Sequence, residues 1–590
     1  MRAQLEPAVG GSAHPPPGSP PTPDTVPHAA RRGLPAAVVA ALGLLAFVAL
    51  AMAAMWPGLF TGHDTIVGDT GDPSLWIWDL EWVPFALAHH LNPLVTSYLH
   101  YPGGANLMWN GTIIFPALVL TPITDLAGPI VSYNVVAVLG VSLSGWCAFL
   151  ALRRYAAWWL PAAAGALLYE FSPYMALQII GHAQLFIALF PPLVLLLADE
   201  ILVRQQRPAA LMGTLLGLAA VAQLLTGEEL LAMTAIMSLP PLIALLIIRR
   251  ADIRGRLGHA ARAAVWALGS FLVVGGYPLY VQFLGPQTVH GALQGIDTYV
   301  ATPTAFVVPS RYELIGGHAL VFDSSVYVGV PLLLLAALVV VWLWRRTAVV
   351  PAAVAVAAAM VCALGGHLVV HGVSSGLPLP WDAVNQIPVL DNILPVRLMV
   401  FGYLGLAVLL AVFLDAVWRR APRWRMAGLL AAAAALAPLI PSLPLQAGEY
   451  VAPAFFTDGS AQLLPHSGSV LVSPYESQLP EAWQALSGMA FRTQVGVVYA
   501  PGPGGHMEGP ELDQLGIELN RLDSLGEPAP AVIPTSQRQT YLSDLRAHDV
   551  RAIVVGPSSG QVQAARFFTE LLGTPGVRTG GVVVWFDVDA

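Results

Sequence analysis

The chain has no lysine, so each of its 27 basic residues is an arginine. Cysteine occurs twice, as Cys147 and Cys362, both inside apolar runs. That excludes a disulfide framework and a cysteine-built metal site. Charge is scarce, at 11% of 590 residues, against 56% hydrophobic residues and a mean hydropathy of +0.66. So little charge over such a length excludes an ordinary soluble domain and implies a membrane protein with many spans. The sequence also lacks a Walker motif, a G-x-S-x-G elbow, a dinucleotide fingerprint and any His/Cys/Asp set at metal-ligand spacing. No internal repeat occurs at a solenoid period, and nothing points to a nucleic-acid partner. The net charge of −8 restricts little, because charge on a membrane protein acts by side of the bilayer. Missing lysine together with abundant Ala, Gly and Pro fits a GC-rich coding sequence, hence a bacterial plasma membrane.

What is present is long apolar runs. Residues 1–33 are rich in Pro, Gly and Ser and read as a disordered cytoplasmic tail. They lack the charged region and cleavage site of a signal peptide, so the run at 34–57 is expected to be an uncleaved first span. Further runs of spanning length fall at 131–152, 158–176, 182–203, 208–226, 228–248, 262–285, 324–344, 348–370, 395–418 and 426–443. A twelfth, 112–128, contains Pro116 and Pro122 and reads as broken or re-entrant. Arginines cluster at 31/32, 153/154, 204/207, 249 to 262, 345/346 and 419 to 425. With eleven crossings all of these face the side of the N-terminus, as the positive-inside rule expects. The expected organisation is a transmembrane unit over 34–443 with a first outer loop at 58–130. A small extracytoplasmic α/β domain is expected at 444–590, where "SVLVS", "RAIVVG" and "GVVVWFDV" alternate with helix-like segments.

The outer side collects acids. "GDTGDPSLWIWDLEW", residues 68–82, holds four carboxylates and three tryptophans. Asp72-Pro73 is a good helix start, in which the carboxylate caps free N–H groups. The following residues predict an amphipathic helix along the membrane surface, anchored by Trp78 and Trp82. On that view the acids simply face water. Alternatively, a carboxylate there is a general base or holds a divalent metal against a phosphate. "TGEE" at 226–229 offers a capping box between Thr226 and Glu229, which leaves Glu228 for another use. His182 follows a turn at Gly181. Arg311 and Arg397 are outer-side exceptions among the arginines, and Asp323, Asp382 and Asp391 read as cap and surface residues.

A first span, an acidic outer loop with membrane-parallel helices, many further spans and an outer C-terminal domain together resemble the GT-C glycosyltransferases. Asp72-Pro73 is similar to the aspartate-proline of the first-loop motif in the oligosaccharyltransferases of that superfamily, with Asp69 as companion acid. The resemblance implies an α-helical polytopic GT-C-like bundle of about 11–12 spans. It implies inverting transfer of a sugar from a polyprenyl-phosphate donor to a glycan, lipid or protein acceptor of the cell envelope. In that reading Asp72 or Asp69 is the base, and Glu228, Arg397, His182 and Trp76 contact substrate. The spacing Asp69-x-x-Asp72 departs from the family's commoner adjacent acids and leaves a divalent metal, Mg or Mn, open. A transporter or flippase of a lipid-linked glycan and a non-catalytic envelope-assembly protein are the alternatives. Transporters usually keep ionisable groups near the midplane, where this sequence has few.

Overall fold

The computed structural model describes residues 35–588 apart from 63, 251–252, 317–325, 371, 476, 495, 497, 509–512 and 524–525. The Pro-rich tail, the Arg31/Arg32 pair and Asp323 therefore lie outside the described residues. Among those described, six helices are long and apolar enough to cross a bilayer: Ala36–Ala54, Ile114–Leu152, Ala183–Arg204, Glu228–Ile248, Arg254–Leu284 and Pro395–Arg420. Shorter apolar helices at Ala209–Leu224, Val330–Leu343 and Val349–Ala363 accompany them. The chain is a multi-pass helical membrane protein with small sheets.

Several expected spans are broken rather than continuous. The run at 158–176 is split into Trp159–Glu170 and Pro173–Gln178, with Ser172 capping the second piece. The last run forms Arg425–Leu436 and then a 3-10 turn containing Pro438. Proline is at each break because it lacks an N–H and clashes with the preceding turn.

Helix α1 (Ala36–Ala54) buries only Phe47, Ala51 and Ala54 and turns the rest of its apolar surface outward, toward lipid. Helix α2 (Pro73–Ala88) does the opposite. Trp78 and Trp82 are fully buried and stacked at 5.2 Å, and their indole N–H groups donate to Gln484 and to the Pro93 carbonyl. The expected surface helix with interfacial tryptophans is thus a core helix, because the C-terminal domain covers its outer side.

Helix α3 (Ile114–Leu152) is two helices joined at Gly128, whose φ of 84° and ψ of 167° leave helical geometry just before Pro129. Thr124 and Ser132 hydroxyls meet at 2.8 Å across the break, whereas eight helical residues would separate them by about 12 Å. The start of α3 is tied to Asp79 and to the Leu225 carbonyl, and Asn134, past the break, bonds Val67 and Thr65. The chain therefore folds sharply at Gly128 rather than continuing as one helix.

Helix α7 (Met399–Arg420), buried over nearly its whole length, packs against α6 (Val349–Ala363) and the helix Trp159–Glu170 and touches α4 (Phe190–Ala198), while α5 (Glu228–Ile248) packs on α6. Arginines collect at one end of these helices. Arg154 pairs with Glu200 at 3.1 Å, Arg204 with Asp199 at 2.6 Å and Arg346 with Asp415 at 3.2 Å. Acids are thus not confined to the opposite end; these three offset arginines where the helices would otherwise carry unpaired charge.

Strand β1 (Thr65–Val67), after the first span, pairs antiparallel with β2 (Ala447–Glu449), Thr65 opposite Glu449. The C-terminal domain is built on β3 (Ser469–Ser473), β4 (Val550–Val555), β5 (Val577–Thr579) and β6 (Val582–Trp585), in the order β5-β6-β4-β3. The β3–β4 pair is parallel and the others antiparallel. One face packs on Phe567 and Phe568 of the helix Gln561–Leu572, the other on Phe456 and Trp483. Trp483 belongs to helix α8 (Leu479–Leu486), whose other side meets α2. That contact sets the geometry of the acidic loop.

Candidate active site

The loop at 68–72 is pinned from below by the turn at 180–182. Asp69 N–H donates to the Ile180 carbonyl at 2.8 Å. Gly68 makes this possible: its φ is 103°, and a Cβ there would lie 2.2 Å from the Ile180 oxygen. Trp76, buried in α2, donates its indole N–H to the Gly181 carbonyl at 2.6 Å, which fixes the adjoining His182. Helix α2 does begin at Pro73, but the Asp72 carboxylate makes no capping bond. It turns outward instead.

There Asp72 is held by two donors. His182 Nε2 lies 3.2 Å from Oδ2, and Gln478 Nε2 donates to Oδ1 at 2.7 Å. Gln478 stands at the N-terminus of α8, so the C-terminal domain completes the site. The Asp72 side chain remains 45% exposed and His182 33%, which leaves the carboxylate accessible to a substrate hydroxyl. Burial alone would raise its pKa, but the His182 hydrogen bond and charge, Gln478 and the more distant Arg397 hold it below the usual carboxylate value. Asp69 is shifted the other way. Burial raises its pKa, the Gly71 N–H bond at 3.0 Å opposes this, and the Asp72 charge adds to the rise. Two neighbouring carboxylates are therefore pushed apart in acidity, with Asp72 the more readily ionised.

Arg397 lies near this pair and forms an ion pair with Glu229. This overturns the expected capping box. Thr226 donates to the Ala222 carbonyl, Gly227 occupies the cap position, and Glu229 is drawn to the guanidinium. Glu228 is half-buried and accepts the Gly111 backbone N–H. Arg311 is exposed and bonds its neighbour Tyr312, away from this cluster. Asp382 and Asp391 lie in two separate short helical turns, Pro380–Val384 and Leu390–Asn392. Glu313, a loop residue with no spacing argument to mark it, is buried and accepts from Ser310.

Asp69, Asp72, His182 and Trp76 thus stand together, with Arg397 near enough to act on the Asp72 charge, while Glu228 is tied to Gly111. Sequence reasoning missed Gln478 and Glu229. Gln478 is 406 positions from Asp72 and carries no motif, so no signal in a single sequence could have found it. Glu229 reads in the sequence as the capping partner of Thr226, and its actual partner, Arg397, is 168 positions away.

Comparison with solved structures places the architecture. The cryo-electron microscopy structure of the arabinofuranosyltransferase AftD from Mycobacteria aligns over 95% of this chain with a TM-score of 0.51 and 16% identity. The fold is GT-C-like. This chain spans 40% of the length of that structure. The archaeal oligosaccharyltransferase AglB from Archaeoglobus fulgidus, solved with an inhibitory peptide and a dolichol-phosphate, aligns over 88% of this chain and 69% of its own at a TM-score of 0.47 and 11% identity. The Archaeoglobus fulgidus oligosaccharyltransferase in complex with Zn and sulfate gives 0.46 at 12% identity, over 87% of this chain and 67% of its own. No family model matches the chain, and no curated protein does.

The residues of this site, as they stand, offer few free oxygens to a cation such as Mg or Mn. Among the described residues no three His, Cys, Asp or Glu side chains converge as metal ligands. Both Asp72 oxygens already accept from nitrogen donors, and one Asp69 oxygen accepts from Gly71. Such cations ask for several free oxygen ligands around one point.

Proposed function

We propose that this chain is an inverting glycosyltransferase that moves a sugar from a polyprenyl-phosphate donor to a glycan, lipid or protein acceptor of the cell envelope. It works at the outer face of a bacterial plasma membrane, with 58–130 as the first outer loop and 444–590 as an extracytoplasmic domain. The observation that carries this reading is Asp72: an exposed carboxylate at the lip of a lipid-embedded bundle, turned away from its own helix and held by His182 and Gln478 from two other parts of the chain. A structure of the same fold is an arabinofuranosyltransferase, which supports sugar transfer as the class of reaction.

The chemistry follows from those positions. The acceptor hydroxyl gives its proton to Asp72 as its oxygen bonds to the anomeric carbon. On the far side the bond from that carbon to the phosphate oxygen breaks, and the electron pair leaves with polyprenyl phosphate. His182 and Gln478 orient the base and keep it ionised. Arg397, shared with Glu229, and the Glu228 layer lie where a lipid phosphate would approach the membrane, and the guanidinium fork matches its oxygens. Trp76 holds the His182 turn from beneath.

The test is release of polyprenyl phosphate from a polyprenyl-phosphate arabinofuranose donor by the purified full chain, with other polyprenyl-phosphate sugars in parallel. Asp72→Asn is expected to lower turnover by about 10²–10⁴-fold with an unchanged melting temperature. Full activity in that variant would remove Asp72 as the base and move the role to Asp69.

A further inference from the structure

Tyr499 brings a phenol from the C-terminal domain to the Asp72 cluster. Its backbone is clamped by the buried Asn110. The Tyr499 N–H donates to Asn110 Oδ1 at 2.5 Å, and Asn110 Nδ2 donates to the Tyr499 carbonyl at 3.2 Å. The next residue leads into the site, since the Gly111 N–H donates to Glu228 and the adjoining Glu229 pairs with Arg397. Asn110 thus engages both backbone groups of Tyr499, and only its half-buried side chain is left to meet a ligand.

Burial raises the Tyr499 pKa, Arg397 opposes that rise, and Asp72, Tyr299 and Glu229 add to it. The phenol therefore stands within electrostatic reach of the base and of the guanidinium alike. Tyr299 joins it from a different segment. It has a φ of 54°, uncommon for so bulky a residue, and is 38% exposed. The two segments are tied together. The His290 N–H donates to the Gly505 carbonyl at 3.1 Å and the Met507 N–H to the His290 carbonyl at 2.8 Å, on the hairpin that follows Tyr499. Acceptors without donors lie close by. Glu229 Oε1 and Gln184 Oε1 have no hydrogen-bond partner among the described residues, and Gln184 Nε2 lies 3.9 Å from where a Cβ of Gly111 would be.

In an inverting displacement the sugar lies between the base and the departing phosphate, because the attacking and leaving oxygens take opposite faces of the anomeric carbon. A phenol that feels both ends of the site faces that sugar. A hydroxyl that donates and accepts matches a sugar hydroxyl, whereas an ionised phosphate oxygen only accepts. We propose that Tyr499 reads the donor sugar, its hydroxyl hydrogen-bonding a hydroxyl of the sugar held between Asp72 and Arg397. This inference rests on the sugar-transferase reading of the site and adds to it the residue that selects the sugar.

The experiment measures binding by the full chain in phosphatidylcholine nanodiscs, without acceptor. The ligands are polyprenyl-phosphate arabinofuranose and bare polyprenyl phosphate, with other polyprenyl-phosphate sugars in parallel. The parent is expected to bind at least one sugar-bearing lipid more tightly than the bare one. Tyr499→Phe keeps the ring and both Asn110 bonds, so its melting temperature should be unchanged. Its affinity for the preferred sugar-bearing lipid should fall about fivefold, the worth of one neutral hydrogen bond, with no change for bare polyprenyl phosphate. Arg397→Gln should weaken both, and Tyr312→Phe, away from the cluster, neither. A parent that binds no sugar-bearing lipid better than the bare one overturns the proposal, as does unchanged donor affinity in Tyr499→Phe. An equal loss for bare polyprenyl phosphate also overturns it, and would put the phenol on the phosphate. Because binding is read without transfer, a chain that keeps the expected pattern but moves no sugar refutes the reaction and upholds the sugar contact.

Discussion

A single carboxylate shows how position changes the role of a residue type. From sequence, Asp72 before Pro73 is a helix cap; in the folded chain its oxygens face away from the helix because His182 and Gln478 supply better-placed donors. Donors to the ionised form lower a carboxylate pKa, and removing one must raise it. In Gln478→Ala the acid limb of the pH–rate profile is therefore expected to move to higher pH. The rate at neutral pH should fall about tenfold, the worth of one hydrogen bond to a charged group. An acid limb that stays in place would mean that Gln478 does not act on Asp72. Asp69 needs no such donor to stay near it, since Gly71 and the Ile180 carbonyl hold its backbone turn.

At the scale of elements, α2 is joined to α3 through a buried acid. Asp79 is fully buried; one oxygen accepts the Ile113 N–H at the start of α3 and the other has no partner. Burial pushes its pKa up to about 8, against the opposing pull of the Ile113 hydrogen bond. Between its unfolded value near 3.8 and about 8 the folded chain holds a proton that the unfolded chain releases, so folding stability falls as pH rises through that window. Glu81, raised to about 7 chiefly by burial and secondarily by Asp125, acts in the same direction. Asp79→Asn keeps an acceptor for Ile113 and removes the titration. It is expected to melt within about a degree of the parent at pH 5 and a few degrees above it at pH 9, about 1 kcal/mol being worth a few degrees. A gap that is the same at both pH values would remove Asp79 from this linkage.

Across the whole molecule, the segment after the first span and the C-terminal domain form one assembly. They meet through the β1–β2 pair, through α8 against α2, and through Asn110, which bonds Tyr499 in both directions. Opposed residues of an antiparallel pair sit about 4.5–5.5 Å apart at Cα, within disulfide range. The double substitution Thr65→Cys and Glu449→Cys, in a background without Cys147 and Cys362, is expected to cross-link nearly completely in cells that export the loop to an oxidising compartment. Free thiols at both positions under those conditions would separate the two parts and undo the site. Such an outer cap over a lipid-facing bundle also accounts for the burial of Trp78 and Trp82, since each is covered from above by α8 or its neighbours.

Long apolar runs and the alternation of strand and helix after residue 444 are readable in the chain itself. Hydropathy, arginine placement and β-branched runs act within a few residues of one another. The acids at 69 and 72 are readable for the same reason, as polar residues that no lipid-facing segment would carry. Long-range contacts are not. The turn of Asp72 away from its helix, the pairing of Arg397 with Glu229 and the arrival of Gln478 all depend on groups between 110 and 406 positions away. Packing α8 onto α2 brings Gln478 to Asp72, the 180–182 turn under the 68–72 loop brings His182, and helix packing joins Arg397 to Glu229; a linear pattern carries no trace of contacts that folding alone creates.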